Sequence, residues 1–146
     1  MQLTMTGEYA IRAILSLAAD PDGKAQQISD IARNWEIPEN LLRKIIPQLS
    51  RAGLIHTRRG TNGGIRLAIP ADVLTLLDVI EAVEGKLSLN RCLIHSDFCH
   101  RERSCPVHGV WCEAQSALKQ ILRQKTFAEL ARQNAAQSSE QLVTVS

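Results

Sequence analysis

A chain of 146 residues, 45% of them hydrophobic and with a formal net charge of +2, has the length of one modest domain or of a small domain with an oligomerisation arm. No apolar run approaches the ~20 residues that cross a bilayer, and the start, MQLTMTGEYAIRA, lacks the basic and continuous apolar stretches of a secretory signal. The expected compartment is therefore the cytoplasm, where thiols stay reduced and clustered cysteines bind metal or sense redox state more often than they form staples.

Aromatic residues make up only 3% of the chain, so the core must be built from Leu, Ile, Val and Ala. Residues 7–19 are apolar at Ala10, Ile11, Ala13, Ile14, Leu17 and Ala18, which predicts an amphipathic helix capped by Thr6. Asp20-Pro21-Asp22-Gly23 ends it. A second, short helix is expected from Ser29, followed by a break at Glu36-Ile37-Pro38. Pro38 suits the first turn of a third helix, where its missing N–H has no partner to lose. That helix turns Leu41, Leu42, Ile45, Ile46 and Leu49 inward and ends before Gly53, a left-handed cap. Pro47 lies inside it and predicts a kink.

Two short helices joined by a brief turn, the second one basic, form a helix-turn-helix pattern. Residues 54–59 and 65–69 read as strands, joined by Gly60-Thr61-Asn62-Gly63-Gly64, whose Asn-Gly and Gly-Gly steps permit hairpin turns. A hairpin in that place is a wing. Between Asn40 and Ala71 stand Arg43, Lys44, Arg51, Arg58, Arg59 and Arg66 with no acid, whereas from Leu67 onward eight Lys/Arg face nine Asp/Glu. The positive charge is thus local, as a DNA phosphate backbone requires. The residues expected on DNA are Arg43, Lys44 and Arg51 on phosphates, Glu39 and Asn40 on bases, and Arg58, Arg59 and Arg66 from the wing. His56, just before the wing arginines, reads as a strand residue or phosphate contact.

Thr75 is placed to cap a fourth helix through Val83, with Asp78 three residues on and Gly85 past the end. A long helix is expected from Pro106, with Val107, Val110, Trp111, Ala114, Ala117, Leu118, Ile121 and Leu122 recurring at three- and four-residue steps. Such a helix can pair with its own copy. The fold class is therefore mainly α with a small β wing. The expected organisation is a winged helix-turn-helix domain over 1–85, a ligand-bearing loop over 86–105, a dimerisation helix region over 106–132 and a mobile tail over 133–146.

Between the fourth and fifth helices lies CLIHSDFCHRERSCPVHGVWC, holding all four cysteines and three of the four histidines. The spacing C-x6-C-x5-C-x2-H-x3-C contains no close cysteine pair of the kind that structural zinc uses. Wider intervals suit a larger object such as an iron–sulfur cluster, although zinc or free thiols remain open on spacing alone. His95 and His100 read as solvated loop residues. No C-x-x-C pair, cofactor-binding glycine motif or catalytic acid–base set occurs, so an enzyme is not expected.

The segments MQLT-x2-GEYAIRA, IPENLLRKIIPQLSRAGLI, RRGTNGGIRLA and LLDVIEAVEG, with the C…C…C-x2-H loop, resemble the winged-helix iron–sulfur transcription regulators typified by IscR, NsrR and RirA. The resemblance covers about residues 1–130. It implies a homodimer on double-stranded operator DNA, with one [2Fe–2S] or [4Fe–4S] cluster per subunit controlling affinity. Cys92, Cys99 and Cys105 match the family's cluster thiolates and His108 the fourth ligand of IscR-like members. Two departures stand out: the first interval is six residues where IscR has five, and Cys112 is an additional thiol one helical turn from His108. Cys112 is thus an alternative fourth ligand, as is Glu8, which matches an acidic residue that ligates iron across the dimer in NsrR-like proteins. The rival expectation is a cluster-free regulator of the same fold that responds to thiol oxidation or a partner protein, or one with structural zinc in the loop.

Overall fold

The computed structural model describes residues 2–95 and 98–144, with the side chains of 142–144 excepted; Met1, the loop pair Ser96-Asp97 and residues 145–146 lie outside the described residues. Helices α1 (Met5–Ala18), α2 (Ile28–Asn34) and α3 (Glu39–Arg51) come first, followed by strands β1 (Ile55–Arg58) and β2 (Gly64–Leu67). Helix α4 (Leu76–Glu84) leads through two 3-10 turns, Arg91–Leu93 and Glu102–Ser104, to α5 (His108–Gln124) and α6 (Phe127–Thr144). The mainly helical class with a small β wing holds.

The core is aliphatic, as the shortage of aromatics requires. Ala10, Ala13, Ile14 and Leu17 of α1 meet Ile31 and Ala32 of α2, and Leu42, Ile45, Ile46 and Leu49 of α3. Leu54, Ile55 and Ile65 close the wing side, while Leu74, Val79 and Phe127 close the other. Several caps fall where the sequence puts them. Thr75 and Asp78 form a reciprocal capping box on α4, and Gly53 and Gly85 take positive φ values of 75° and 81° past the ends of α3 and α4. Helix α3 runs unbroken through Pro47.

Other boundaries differ. Thr4 rather than Thr6 caps α1: its Oγ1 accepts from Gly7 N, and Glu84 accepts from both the Thr4 amide and hydroxyl. Helix α2 begins at Ile28, without a side-chain cap from Ser29. Pro38 precedes α3 instead of entering its first turn, and its carbonyl accepts from the Leu41 and Leu42 amides. The strands are shorter than expected, pairing Ile55 with Leu67 through Arg58 with Gly64.

The larger difference is in the C-terminal third. The long helix starts at His108, not Pro106, and stops at Lys125, where the chain turns back. The segment expected as a mobile tail, 133–146, is helical through Thr144 as part of α6. The turn is fixed by backbone pairing: Leu76 N donates to Lys125 O and Phe127 N to Leu74 O, both at 2.9 Å. Thr126 Oγ1 accepts from Glu129 N, a cap that starts α6. These bonds drive Phe127 into the core, where it is fully buried beside Leu74 and α1.

The wing is anchored to the stretch before α2. Gln26 exchanges two 2.8 Å backbone bonds with Ile65, and its side chain bonds Ser16 through both ends of the amide. Gln27 Nε2 donates to Gly63 O at 2.8 Å. This close approach needs glycine: a Cβ on Gly64, whose φ is +133°, would stand 2.5 Å from Gln26 O.

Two substitutions test this packing. Phe127→Ala removes the largest fully buried side chain and is expected to cost about 3–5 kcal/mol in denaturant unfolding. Gly64→Ala meets both an unfavourable φ and the Gln26 carbonyl, so it is expected to cost more than the ~1 kcal/mol of an unstrained glycine replacement, read as a lowered Tm.

Candidate nucleic-acid interface and cluster site

Helix α3 has two faces because its apolar positions recur at three and four residues. Leu42, Ile45, Ile46 and Leu49 are buried, whereas Leu41, expected inward, is exposed with Glu39, Asn40, Arg43, Lys44, Pro47 and Arg51. The exposed face borders a cavity of about 670 Å³ between α2, α3 and the wing. Arg43, Arg51, Arg58 and Arg59 line it together with Gln27, Ser29 and Ser50, and no acid among the described residues lines it. Four guanidinium groups in one concavity make an anion-binding surface, and Arg is the residue suited to bidentate phosphate and guanine contacts. Asn40 and Lys44 lie on the same helix face but outside the cavity.

A second basic hollow, about 420 Å³, lies along the hairpin and contains Lys24, His56, Arg58, Asn62 and Arg66. Register explains it, since His56 is paired directly with Arg66. Sequence reasoning missed Lys24, Gln27, Ser29 and Ser50. Their place depends on how the α1–α2 connection meets the wing, and no local pattern encodes that.

The cysteine segment leaves α4 and is tied down by a few polar contacts. Glu81 Oε1 accepts from Leu87 N at 3.1 Å and pairs with Lys119 Nζ at 3.2 Å, while Gln115 Oε1 accepts from Leu89 N at 3.0 Å. Leu118 and Leu122 of α5 pack on Leu77, Ile80 and Leu87. Cys92 sits in the first 3-10 turn. Cys99 O accepts from Glu102 N, and Cys105 O accepts from His108 N, both at 3.2 Å.

A cavity of about 420 Å³ opens where this segment meets α5, with Cys92, Glu102, His108, Cys112 and Lys119 among its walls. His108 Nε2 lies 3.5 Å from Cys112 Sγ and 3.6 Å from Glu102 Oε1. His108 Nδ1 is buried with no hydrogen-bond partner. An unpaired buried nitrogen costs about 1–3 kcal/mol, so this imidazole has coordinating capacity that the protein leaves unused.

Of the sequence-derived ligands, the structure thus brings Cys92, His108 and Cys112 to one cavity. It leaves Cys99, which is exposed, and Cys105, which is half-buried, outside it. Glu8 lies at the start of α1, away from this cavity. Glu102 is a cavity residue that sequence reasoning missed. Among the described residues no three Cys, His, Asp or Glu side chains converge as a closed metal set, and no cysteine is in a disulfide. The donor chemistry nevertheless fits an iron–sulfur cluster: soft sulfurs and an imidazole with one unpartnered nitrogen in a single segment. His95 stacks on the exposed Phe98 ring at 5.8 Å between centroids.

Helix α5 buries none of its residues completely. Val107 just before it, and Val110, Trp111 and Ile121 along it, are exposed large apolar side chains. No helix among the described residues is long and apolar enough to cross a membrane.

Solved structures share this architecture. The chain is similar to CymR (YrzC), the global cysteine regulator of B. subtilis, at 25% identity and a TM-score of 0.74, over 90% of this chain and 97% of that one. It is similar to the oxidised form of CymR from Staphylococcus aureus at 25% identity and a TM-score of 0.69, over 90% and 96% of the two chains. IscR of T. potens, at 22% identity and a TM-score of 0.71, covers 92% of this chain and 88% of its own, a likeness of fold. The sequence profile of the Rrf2 family, described as iron-dependent transcriptional regulators, matches residues 3–133. With that match over a winged helix-turn-helix fold, the chain belongs to the Rrf2 family of transcriptional regulators.

Proposed function

We propose that the chain is a cytoplasmic homodimer that binds operator DNA through α3 and the wing, with affinity set by an iron–sulfur cluster in each subunit. The ligands are Cys92, Cys99, Cys105 and His108. The observation that carries this reading is that His108, whose Nδ1 is buried and unpartnered, lines the same cavity as Cys92. When bound, the cluster supplies iron–thiolate bonds that respond to iron supply, redox state or nitric oxide.

The chain's own residues account for the rest. His108 is the first residue of α5, so any constraint on its ring is a constraint on the start of that helix. The exposed row Val107, Val110, Trp111 and Ile121 is the face that a second copy covers, because apolar side chains in register on one helix lose most water by pairing. On DNA, Arg51, Arg58 and Arg59 neutralise phosphates or enter the minor groove, while Glu39, Asn40 and Arg43 in the first turns of α3 lie at the base edges. Lys44 and Arg66 add phosphate contacts. Two arrangements of the dimer then differ in the spacing of the two α3 helices, which must lie about one DNA turn apart.

A second reading, a cluster-free regulator that senses thiol chemistry, is favoured by the separation of Cys99 and Cys105 from the cavity and by the exposure of Cys99 and Cys112. Cys112, 3.5 Å from His108 Nε2, remains the alternative fourth ligand within the first reading, and Glu8 the other.

Oxygen-free purification separates these readings. Stoichiometric iron and acid-labile sulfide with a visible chromophore are expected, and Mössbauer spectra then give the nuclearity. Single Ala replacements of Cys92, Cys99, Cys105 or His108 are expected to lose the stable chromophore, while Cys112→Ala keeps it. A colourless protein with unchanged operator affinity supports the cluster-free reading instead. Arg59→Ala is expected to weaken operator binding and reduce the slope of log affinity against log salt by about 0.9 for each phosphate no longer neutralised, with iron content unchanged.

A further inference from the structure

We propose that Glu39 and Arg43 act as one unit that reads a G·C base pair, with Glu39 the specificity-determining residue because it aims the guanidinium. The inference rests on the DNA-binding reading above and goes beyond it by naming the base pair.

Glu39 and Arg43 stand one turn apart at the start of α3, both exposed on the face that carries Asn40 and Lys44. A single oxygen, Glu39 Oε1, accepts from Arg43 Nε at 3.0 Å and from Nη2 at 2.6 Å. Both bonds use the side edge of the guanidinium. Its end edge, one N–H each from Nη1 and Nη2, carries no bond among the described residues and leaves a donor fork facing away from the carboxylate. Glu39 Oε2 is likewise without a hydrogen-bond partner among the described residues.

Taken side by side, the pair offers donor, donor, acceptor. That order complements guanine N7, guanine O6 and cytosine N4–H₂, the pattern of a G·C pair in the major groove. An A·T pair shows a donor where the second arginine N–H would sit, so it is rejected. A phosphate, by contrast, takes an arginine in almost any pose. By holding the side edge, Glu39 withholds Arg43 from the backbone, and its own negative charge opposes a phosphate at that place. As an exposed i,i+4 pair it adds little to the fold, so its removal leaves the protein folded.

Selection from a randomised duplex pool, with the full-length protein prepared without oxygen, tests this. The native protein is expected to enrich a motif with one G·C pair per half-site that Arg43→Ala no longer enriches. Glu39→Ala is expected to lower discrimination at that pair by about tenfold and to steepen the salt slope by about 0.9 for each arginine released onto phosphate. In the Arg43→Ala background, Glu39→Ala is expected to leave the slope unchanged. The same steepening in both backgrounds would mean plain charge repulsion, and would overturn the inference. So would an unaltered motif with Glu39→Ala. If the native protein enriches no sequence at all, the DNA-binding reading falls and this inference with it.

Discussion

The apolar stripe of α1 is the surface on which the other elements are assembled. Ala10, Ala13, Ile14 and Leu17 are almost wholly buried, and α1 touches α2, α3, α4, α6 and β2. Two alanines in that stripe keep its profile low, so neighbouring helices approach closely and their Leu and Ile side chains fill the space between. With few aromatics available, interdigitation of small and branched side chains replaces bulk. Phe127 is the exception, a single ring brought from far along the chain to seal the side away from the wing.

Polar bonds then fix what the apolar stripe leaves free. A two-stranded hairpin is marginal on its own. Here Gln26 adds a third, one-residue rung to it, and the same side chain is bonded to Ser16 on α1. The wing is therefore held against the helix that carries the core, and Arg58 and Arg59 keep a fixed relation to the arginines of α3. Charge on this face is concentrated by geometry: the buried stripe of α3 forces its basic residues outward, Arg43 and Arg51 into the hollow that Arg58 and Arg59 also line.

Elements with a local signal were legible in the sequence. The Thr75–Asp78 capping box, the glycine-rich hairpin turn and the apolar repeat of α3 each encode their structure within a few residues. The break before α6 had such a signal too, Thr126 followed by Glu129, but the expected helix region over 106–132 ran across it. Phe127 and Leu130 belong to a different packing surface, the core beside α1. In the candidate site the donor types were legible and their positions were not. Irregular intervals in an aperiodic segment specify no geometry, so the placing of Cys92, Glu102 and His108 around one cavity had no counterpart in the spacing. The basic residues of α3 and the wing were found from their charge pattern, whereas Lys24 and Ser29 depend on long-range docking.

Glu81 has a mechanical consequence. One carboxylate oxygen grips the backbone at Leu87 and the ammonium of Lys119, while Gln115, a turn earlier on α5, grips Leu89. Advancing α5 by a single residue would shift it about 1.5 Å and turn it by about 100°, breaking both grips at once. The joint thus resists gliding and leaves tilting as the easier motion. Lys119 also forms part of the cavity wall beside Cys92 and His108. The same lysine therefore joins that wall to α4, which packs on the α1 stripe of the winged half.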